Sequence, residues 1–337
     1  MVGRVLTVLL HALGVFLFFI GAASLVRRLG RRNPKILLYH DCSDRETEYT
    51  ADLDCTTTPA LFREHIEYLK RHYDIVDLDS LLGGDVPDRA VAITFDDGYA
   101  SVYDNAYPIL SAARAPATVY LISDVVENAT LVWVNELNAL LRRGGRPATE
   151  CAARHFEFSN LAKVSEIIDF CRLHYRPEKM SSLLHELRTM LGSPVSEHAA
   201  AARLYLTWEQ VETMRSGGIT FGNHTRSHPN LECLTEQEQD EEIRSAQSSL
   251  LRKLPAVTSL AYPFGHKGAR TAQLASENGL RSVAEVGGYN RPLARLSLGR
   301  THLSGHSVAG LFSRMEVVEP IKGLLRQRLQ RSTVAAT

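Results

Sequence analysis

Short apolar runs alternate with longer segments in which apolar residues recur every three or four positions. The first pattern is typical of buried strands and the second of helices that cover a sheet. The predicted strands are 36–39, 75–76, 91–94, 117–122, 219–222, 259–262, 282–286 and 296–299. The predicted helices include 59–73, 103–113, 133–143, 208–215, 236–251, 269–278 and 308–330. This alternation predicts a parallel sheet, either open or closed into a barrel.

Three segments lie outside that alternation. Residues 148–205 carry several helical patterns but no candidate catalytic group, so we interpret them as a helical insertion in a domain that spans 35–310. Residues 311–337 are predicted to form a C-terminal helix and tail with a basic end. Residues 1–34 form the third segment.

The N-terminal segment contains a 22-residue apolar run at 5–26, which is long enough to span a bilayer as one helix. Four arginines follow at once: Arg27, Arg28, Arg31 and Arg32. We therefore predict an uncleaved single-pass transmembrane helix with a basic flank. A cleaved signal peptide is the alternative, with Gly21-Ala22-Ala23 as small residues for the cleavage site. The arginines favour a cytoplasmic domain, although the side of the membrane stays open.

Overall charge and cysteine spacing narrow the classes of protein. The 337 residues contain 38 Lys+Arg and 38 Asp+Glu, so no global basic field indicates nucleic-acid binding. The five cysteines form no Cys-x-x-Cys pair, which argues against a zinc ribbon or a thioredoxin-type site. We expect buried, inert thiols, with a bridge between Cys42 and Cys55 as the alternative. The oligomeric state is not indicated.

Candidate chemical groups follow four of the predicted strands. These segments are His40-Asp41, Asp96-Asp97, His224 to His228 and Tyr262-Pro263-Phe264. In parallel α/β folds the chemistry gathers at the carboxyl ends of the strands, so these segments are expected to meet.

Two of these segments indicate a metal site. His224 and His228 are four residues apart, and on a helical turn that spacing places both rings on one face. Asp97 can add a carboxylate and leave open positions for water and substrate. The adjacent Asp96 is then free to act as a general base, because a cation relieves the repulsion between neighbouring acids. An Asp-Gly turn with two solvated acids is the alternative.

Three motifs together resemble the polysaccharide deacetylases of the NodB-homology group, carbohydrate esterase family 4. They are Thr-Phe-Asp-Asp-Gly at 94–98, His224-Thr225 with His228, and Tyr-Pro-Phe-Gly at 262–265. The resemblance covers 35–310 and implies an irregular (β/α) barrel. Tyr39-His40-Asp41 resembles the branch of the group that acts on partly de-N-acetylated exopolysaccharides.

The resemblance implies a role for each matched residue. Asp97, His224 and His228 would bind a divalent metal ion, usually zinc in the family, and Asp96 would be the general base. The backbone N–H of Tyr262 is a candidate to stabilise the oxyanion. The predicted substrate contacts are His40, Asp41, Tyr262, Pro263 and Phe264.

The general acid is where the sequence departs from the family pattern, because no late histidine has an acid next to it. His302 is the first candidate, since it follows the predicted strand 296–299; His266, His40 and His306 are the alternatives. Arg300 either orients the base or pairs with a surface carboxylate.

These features predict an enzyme that hydrolyses the N-acetyl group of an N-acetylated polysaccharide or lipid-linked saccharide. One alternative is a deformylase or deacetylase of a single lipid-linked sugar. Another is a catalytically inactive carbohydrate-binding module, against which the presence of both Asp96 and Asp97 argues, since binding needs no general base. The expected partners are an N-acetylated glycan and, through the N-terminal helix, a membrane.

Overall fold

A barrel of parallel strands forms the centre of this computed structural model, which describes residues 2–83, 86–159, 163–192 and 202–334. The strands are β1 (Lys35–Tyr39), β2 (Asp74–Ile75), β3 (Ala90–Phe95), β4 (Thr118–Leu121), β5 (Thr220–Asn223), β6 (Ser259–Ala261), β7 (Ser282–Val286) and β8 (Leu298–His302). Seven of them follow in the order β1, β8, β7, β6, β5, β4 and β3, and β3 pairs back with β1 in register from Lys35–Val91 to Tyr39–Phe95. The short β2 extends the sheet beside β3. The predicted parallel barrel is therefore confirmed.

Helices surround this barrel. They are α1 (Val2–Phe19), α2 (Ala23–Gly30), α3 (Pro59–His72), α4 (Leu78–Leu82), α5 (Tyr107–Ala113), α6 (Trp133–Phe156), α7 (Val164–Leu173), α8 (Pro177–Leu191), α9 (Trp208–Ser216), α10 (Glu236–Leu251), α11 (Thr271–Glu277), α12 (Val308–Ser313) and α13 (Glu319–Val334). Two π-helical turns interrupt the pattern, at Val102–Ala106 before α5 and at Arg314–Val318 between α12 and α13. The predicted helix 308–330 is thus divided by the second of these turns.

Alternating residues on the strands decide which side chains reach the site. Ile36, Ala92, Tyr120, Ala261 and Leu298 belong to one buried cluster, and small residues are common in it. Because side chains alternate between the two faces of a strand, residues an even number of positions further on point to the same face. Asp96 stands in this relation to Ala92, and Arg300 to Leu298. Strand periodicity thus places both side chains on one face.

The last strand begins and ends later than predicted. The sequence indicated 296–299, whereas β8 is Leu298–His302, so His302 is the last residue of the strand rather than a residue after it. β8 pairs with β1 through Leu38 and His302, which brings His302 beside the end of β1. Pairing in the closed barrel, and not local apolarity, sets this boundary.

The N-terminal apolar run is not one helix. α1 ends at Phe19, Gly21 adopts a left-handed backbone (φ +80°), and α2 begins at Ala23. Within the described residues, no single helix has the length and apolarity to cross a membrane; Val5–Phe19 and Ala23–Gly30 meet both criteria only as a pair bent by 119°. The predicted transmembrane helix is therefore not confirmed.

Three packed helices, α6, α7 and α8, occupy most of the described part of the predicted insertion. α6 is longer than the predicted helix 133–143 and is kinked at Gly145, whose φ is +54°. Arg188 on α8 holds Glu136 on α6 with two hydrogen bonds of 2.7 and 2.6 Å. Residues 160–162 and 193–201 of the predicted insertion lie outside the described residues.

Candidate metal centre and active site

The acid pair stands at the carboxyl end of β3. The backbone N–H of Asp96 still donates to the Tyr39 carbonyl at 2.9 Å, so the first acid continues the pairing with β1. Asp97 and Gly98 then adopt left-handed backbones, with φ of +68° and +69°, and the chain turns away from the barrel. A Cβ on Gly98 would lie 2.8 Å from Leu121 Cδ2, so the turn requires glycine. This turn directs two adjacent carboxylates to one rim.

The two histidines follow β5 on a tight loop. Asn223 accepts a bond from the Thr225 backbone N–H at 2.8 Å, and the Thr225 hydroxyl accepts one from the His228 N–H at 3.1 Å. Thr225 and His228 have left-handed backbones, with φ of +65° and +62°. The prediction that His224 and His228 lie on a helical turn is therefore wrong. Side-chain bonds and the left-handed residues bring the rings together instead.

Asp97, His224 and His228 converge on one point. Oδ1 of Asp97 lies 3.3 Å from Nε2 of His224 and 3.3 Å from Nε2 of His228. One ligand atom from each of the three residues lies within 4.8 Å of the others. Two imidazole nitrogens and a carboxylate oxygen are a donor set that zinc and related divalent ions favour. The three side chains fit a divalent cation.

A carbonyl orients the first of these rings. Nδ1 of His224 donates to the Ala261 carbonyl at 2.8 Å, which leaves Nε2 facing the carboxylates. Burial lowers the pKa of His224, but Asp96 and Asp97 outweigh it and raise the pKa overall. The carboxylates therefore favour a positive charge at Nε2, which either a proton or a metal ion can supply.

The other two groups of the centre have pKa values below their ordinary range. Burial lowers the pKa of His228 to about 3, so its ring is neutral and able to donate a lone pair. Burial raises the pKa of Asp97, but His228 and His224 bring it well below its usual value. Both groups are in the state that a metal ligand needs.

Trp133 supports the second histidine from outside the centre. Its indole N–H donates to the His228 carbonyl at 2.8 Å, and the Phe264 ring packs edge-on against the His228 ring at 4.5 Å. The sequence predicted a helix that begins at Trp133 but indicated no contact between Trp133 and His228. Its contact with His228 depends on the packing of α6 against the loop after β5.

Arg300 pairs with the general-base candidate and not with a surface carboxylate. Its Nη1 and Nη2 donate to the two oxygens of Asp96 at 2.6 and 2.7 Å, and both side chains are buried. Burial raises the pKa of Asp96, but Arg300 and then His224 lower it overall. The pair keeps Asp96 ionised with one orientation.

These groups line a cavity of about 460 Å³ at the rim of the barrel. The cavity includes Asp96 and the three candidate metal ligands, together with the predicted substrate contacts His40, Tyr262 and Phe264. Asp41 and Pro263 are not part of its lining. The Asp41 carboxylate accepts bonds from the hydroxyls of Ser43, Ser101 and Thr56, so it holds the loop after β1 together.

The Tyr262 backbone N–H is not available to an oxyanion. It donates to the Ala284 carbonyl of β7 at 3.1 Å, which continues the pairing of β6 with β7. The expectation that this group stabilises the oxyanion therefore disagrees with the structure. The residue remains in the cavity wall through its side chain.

The four histidines considered as the acid separate into two groups. His302 and His40 line the cavity, with ring centroids 5.3 Å apart. His266 bonds to Glu232 at 2.9 Å, His306 bonds to the Ser304 carbonyl at 2.6 Å, and neither belongs to the cavity lining. Only the first group can reach a substrate held at the rim.

His302 has an acidic neighbour that its sequence context does not show. Oδ2 of Asp54 lies 3.9 Å from Nδ1 of His302, and Asp54 comes from the loop after β1. Burial, together with the nearby His40 and Arg314, lowers the pKa of His302 to about 3. The acid partner missing from the local sequence is therefore supplied by a distant loop, a contact that only the fold creates.

The helical insertion supplies one wall of the cavity, which the sequence interpretation missed. Ser165, Ile168, Asp169 and Arg172 of α7 all line it. The Arg172 guanidinium lies 5.4 Å from the centre of the Phe264 ring, an arrangement typical of a cation–π contact. Residues 165–172 carry no motif, and they reach the cavity only through the packing of α7, so no local signal identifies this wall.

Sequence comparison identifies the family to which the chain belongs. The polysaccharide deacetylase family model matches residues 83–283, more than half of the chain, and the chain belongs to that family. The poly-beta-1,6-N-acetyl-D-glucosamine N-deacetylase of Staphylococcus aureus (strain MSSA476) is 33% identical over 93 residues. That match covers 25% of this chain and 32% of the relative, so the chain spans about a third of the curated relatives it matches.

Structural comparison shows the same fold. The Streptococcus pyogenes deacetylase PplD, solved in complex with acetate, has a TM-score of 0.56 and 21% identity, over 84% of this chain and 98% of that chain. IcaB from Ammonifex degensii has a TM-score of 0.55 and 17% identity, over 85% and 97% of the two chains. At these identities the likeness concerns the fold.

Proposed function

We propose that the protein is a metal-dependent N-deacetylase that hydrolyses the N-acetyl group of an N-acetylated polysaccharide and releases acetate. The observation that carries the proposal is that the two adjacent acids at the end of β3 have different partners. Asp97 meets His224 and His228, whereas Asp96 is held ionised beside them by Arg300. Family membership supports the same reaction.

Asp97, His224 and His228 would hold the divalent cation, and their nitrogen and oxygen donors favour zinc. When bound, such an ion polarises a carbonyl oxygen and lowers the pKa of water. Amide hydrolysis needs both effects, because an amide is a weak electrophile and its nitrogen is a poor leaving group.

Asp96 takes a proton from the attacking water. Its two oxygens are fixed by Arg300, so the carboxylate meets the water in one orientation without reorganisation. The water oxygen forms the new bond to the acetyl carbon, and the bond from that carbon to nitrogen breaks. The products are acetate and a free amine.

His302 donates a proton to the departing nitrogen. Its pKa of about 3 keeps the ring neutral at neutral pH, so it must gain a proton before it can give one. The proton that Asp96 takes from water supplies this need within the same cavity. His302 thus acts as a relay, and Asp54 stabilises the charged ring that forms transiently.

Asp96→Asn tests the proposal. The substitution keeps the size of the side chain but removes the base, so acetate release should fall by about a hundredfold to ten-thousandfold. Zinc binding measured by calorimetry should persist, because Asp96 is not one of the three ligands. Asp169→Asn changes a cavity-wall acid outside the centre and serves as the matched control.

The first substrate to test is poly-β-1,6-N-acetylglucosamine, the polymer named for the curated relatives. Chelation should stop acetate release and zinc should restore it. Wild-type protein that binds N-acetylated glycans without releasing acetate, with zinc present, would support a binding module instead. Activity restricted to a single lipid-linked sugar would favour the alternative substrate.

A further inference from the structure

The two N-terminal helices carry an apolar face that the described residues leave uncovered. Large exposed side chains recur at helical spacing along it: Val5, Val8, Leu9, Leu13, Phe16, Phe19, Ile20, Leu25 and Leu29. A contiguous exposed surface of this kind marks an interaction site. The face is part of no cavity that contains the candidate metal centre.

The opposite face of α1 is tied to the domain. Ser313 Oγ donates to the His11 carbonyl at 2.9 Å. A Cβ on Gly14 would lie 2.3 Å from Ser313 Oγ. The Phe18 and Phe312 rings pack 5.6 Å apart. So close an approach is possible only because Gly14 lacks a side chain. A helix surrounded by lipid would lose all of these contacts.

The bend that follows α1 argues against a crossing by one straight helix. The 18 residues of α1 extend about 27 Å, slightly less than the roughly 30 Å hydrocarbon core of a bilayer. The chain then turns at Gly21, and α2 leaves at an angle of 119° in the bent pair. A docked helix with one exposed apolar face is suited to lie along a membrane surface.

Positive charge flanks the apolar face. Arg28 and Arg32 are exposed on and just after α2. α13 lies beside α1, since its Ile321 packs with Leu10 and Val318 in one apolar cluster. α13 also exposes Leu324 and Leu325, and its described side chains include the cations Lys322, Arg326 and Arg328. An apolar face with basic borders complements a bilayer that contains anionic lipids.

We propose that α1, α2 and α13 form a membrane-binding surface that lies in the headgroup region of an anionic bilayer and does not cross it. This binding does not depend on the proposed deacetylase activity. The surface adjoins the cavity, because Ser313 bonds to α1 and the next residue, Arg314, lines the cavity. On the basis of the proposed function, the arrangement favours a substrate that is itself attached to the membrane.

Vesicle flotation of the full-length protein tests the proposal. Wild type should float with vesicles of phosphatidylcholine and phosphatidylglycerol, and less with phosphatidylcholine alone or at high salt. The double variant Leu9→Glu, Phe16→Glu should reduce the bound fraction by about tenfold or more. The matched control is Leu173→Glu with Leu251→Glu, two exposed apolar positions elsewhere, and it should bind as wild type does.

A second double variant tests the proposal even if the glutamate variant fails to fold. Arg28→Gln with Arg32→Gln alters only exposed charges and should weaken the preference for phosphatidylglycerol while leaving the circular dichroism melting curve unchanged. To locate the N-terminus, Arg4→Cys on sealed vesicles should react with an impermeant maleimide without detergent. Each variant's helix content is checked by circular dichroism.

Any of the following results would overturn the proposal. One is wild-type protein that does not float, or a glutamate double variant that floats equally well. Another is an Arg4→Cys thiol protected until detergent is added, which would show a chain that crosses the bilayer. The last is a wild-type dimer in sedimentation that the glutamate variant abolishes while flotation stays intact, which would assign the face to a second copy.

Discussion

Arg300 and Asp96, 204 positions apart in the chain, form a buried ion pair through two hydrogen bonds of 2.6 and 2.7 Å. β8 and β3 flank β1 on its two sides, so closure of the barrel brings the ends of both strands to one rim. The pair orients the general-base candidate beside the metal ligands. It also couples the chemistry of the site to the integrity of the barrel.

Arg300→Gln should therefore weaken both stability and catalysis. Removing one partner of a buried pair leaves an uncompensated charge, and we expect the free energy of unfolding to fall by about 3–5 kcal/mol. Urea denaturation measures this loss. Arg281→Gln removes an arginine whose pairing with Asp79 is exposed, and it should change stability by less than about 1 kcal/mol. Equal effects of the two variants would contradict the assigned role.

Asp97→Asn should abolish tight zinc binding. The substitution removes the only carboxylate among the three candidate ligands and its negative charge, so zinc affinity should fall by more than about a hundredfold. Titration calorimetry on chelator-treated protein measures the change. Asp169→Asn is the control, because Asp169 lines the cavity but is not one of the three candidate ligands. The zinc affinity of this variant should match that of wild type.

His302→Gln should lower kcat without weakening zinc binding. Proton donation to a poor leaving group contributes about a hundredfold to ten-thousandfold, and only His302 and His40 of the four candidates line the cavity. Acetate release at saturating substrate is the measurement. His306→Gln, outside the cavity, should leave kcat within about twofold of wild type. If the two variants lose turnover equally, His302 does not have the role of the acid.

His65 should make stability depend on pH in the chelator-treated protein. Its Nε2 donates to the His306 carbonyl at 2.7 Å, and its Nδ1 accepts from the Tyr39 hydroxyl at 3.0 Å, so both contacts are satisfied by a neutral ring. Burial is the main cause that lowers its pKa from 6.5 to about 4. Between these values the unfolded chain binds the proton that the folded chain does not.

The stability contributed by neutral His65 is therefore complete above about pH 6.5 and is lost as pH falls towards 4, by about 3 kcal/mol. The free energy of unfolding, measured by denaturation at several pH values in this range, should change less with pH for His65→Gln than for wild type. His185→Gln alters an exposed histidine and should leave the pH dependence unchanged. Identical pH profiles for wild type and His65→Gln would disprove the assignment.

Local patterns predicted most of the barrel. Strand segments such as 91–94 and 117–122 are short, apolar and rich in β-branched residues, which favours buried strands, and both strands are observed. The strand boundaries that differ from the prediction are those set by pairing with a neighbouring strand. β8 was displaced towards His302 because its pairing with β1 decides where it ends. The N-terminal run was predicted as one helix because composition alone does not record a turn at Gly21.

By itself, the sequence determined the order of strands and helices and the four segments that carry chemistry, because both depend on residues close together in the chain. Only the tertiary structure decided the partners: Arg300 for Asp96, Asp54 for His302, the wall from α7, and the domain face that holds α1. Each of these contacts joins distant segments. They form because a closed parallel barrel brings the carboxyl ends of all its strands to one rim, irrespective of their separation in the chain.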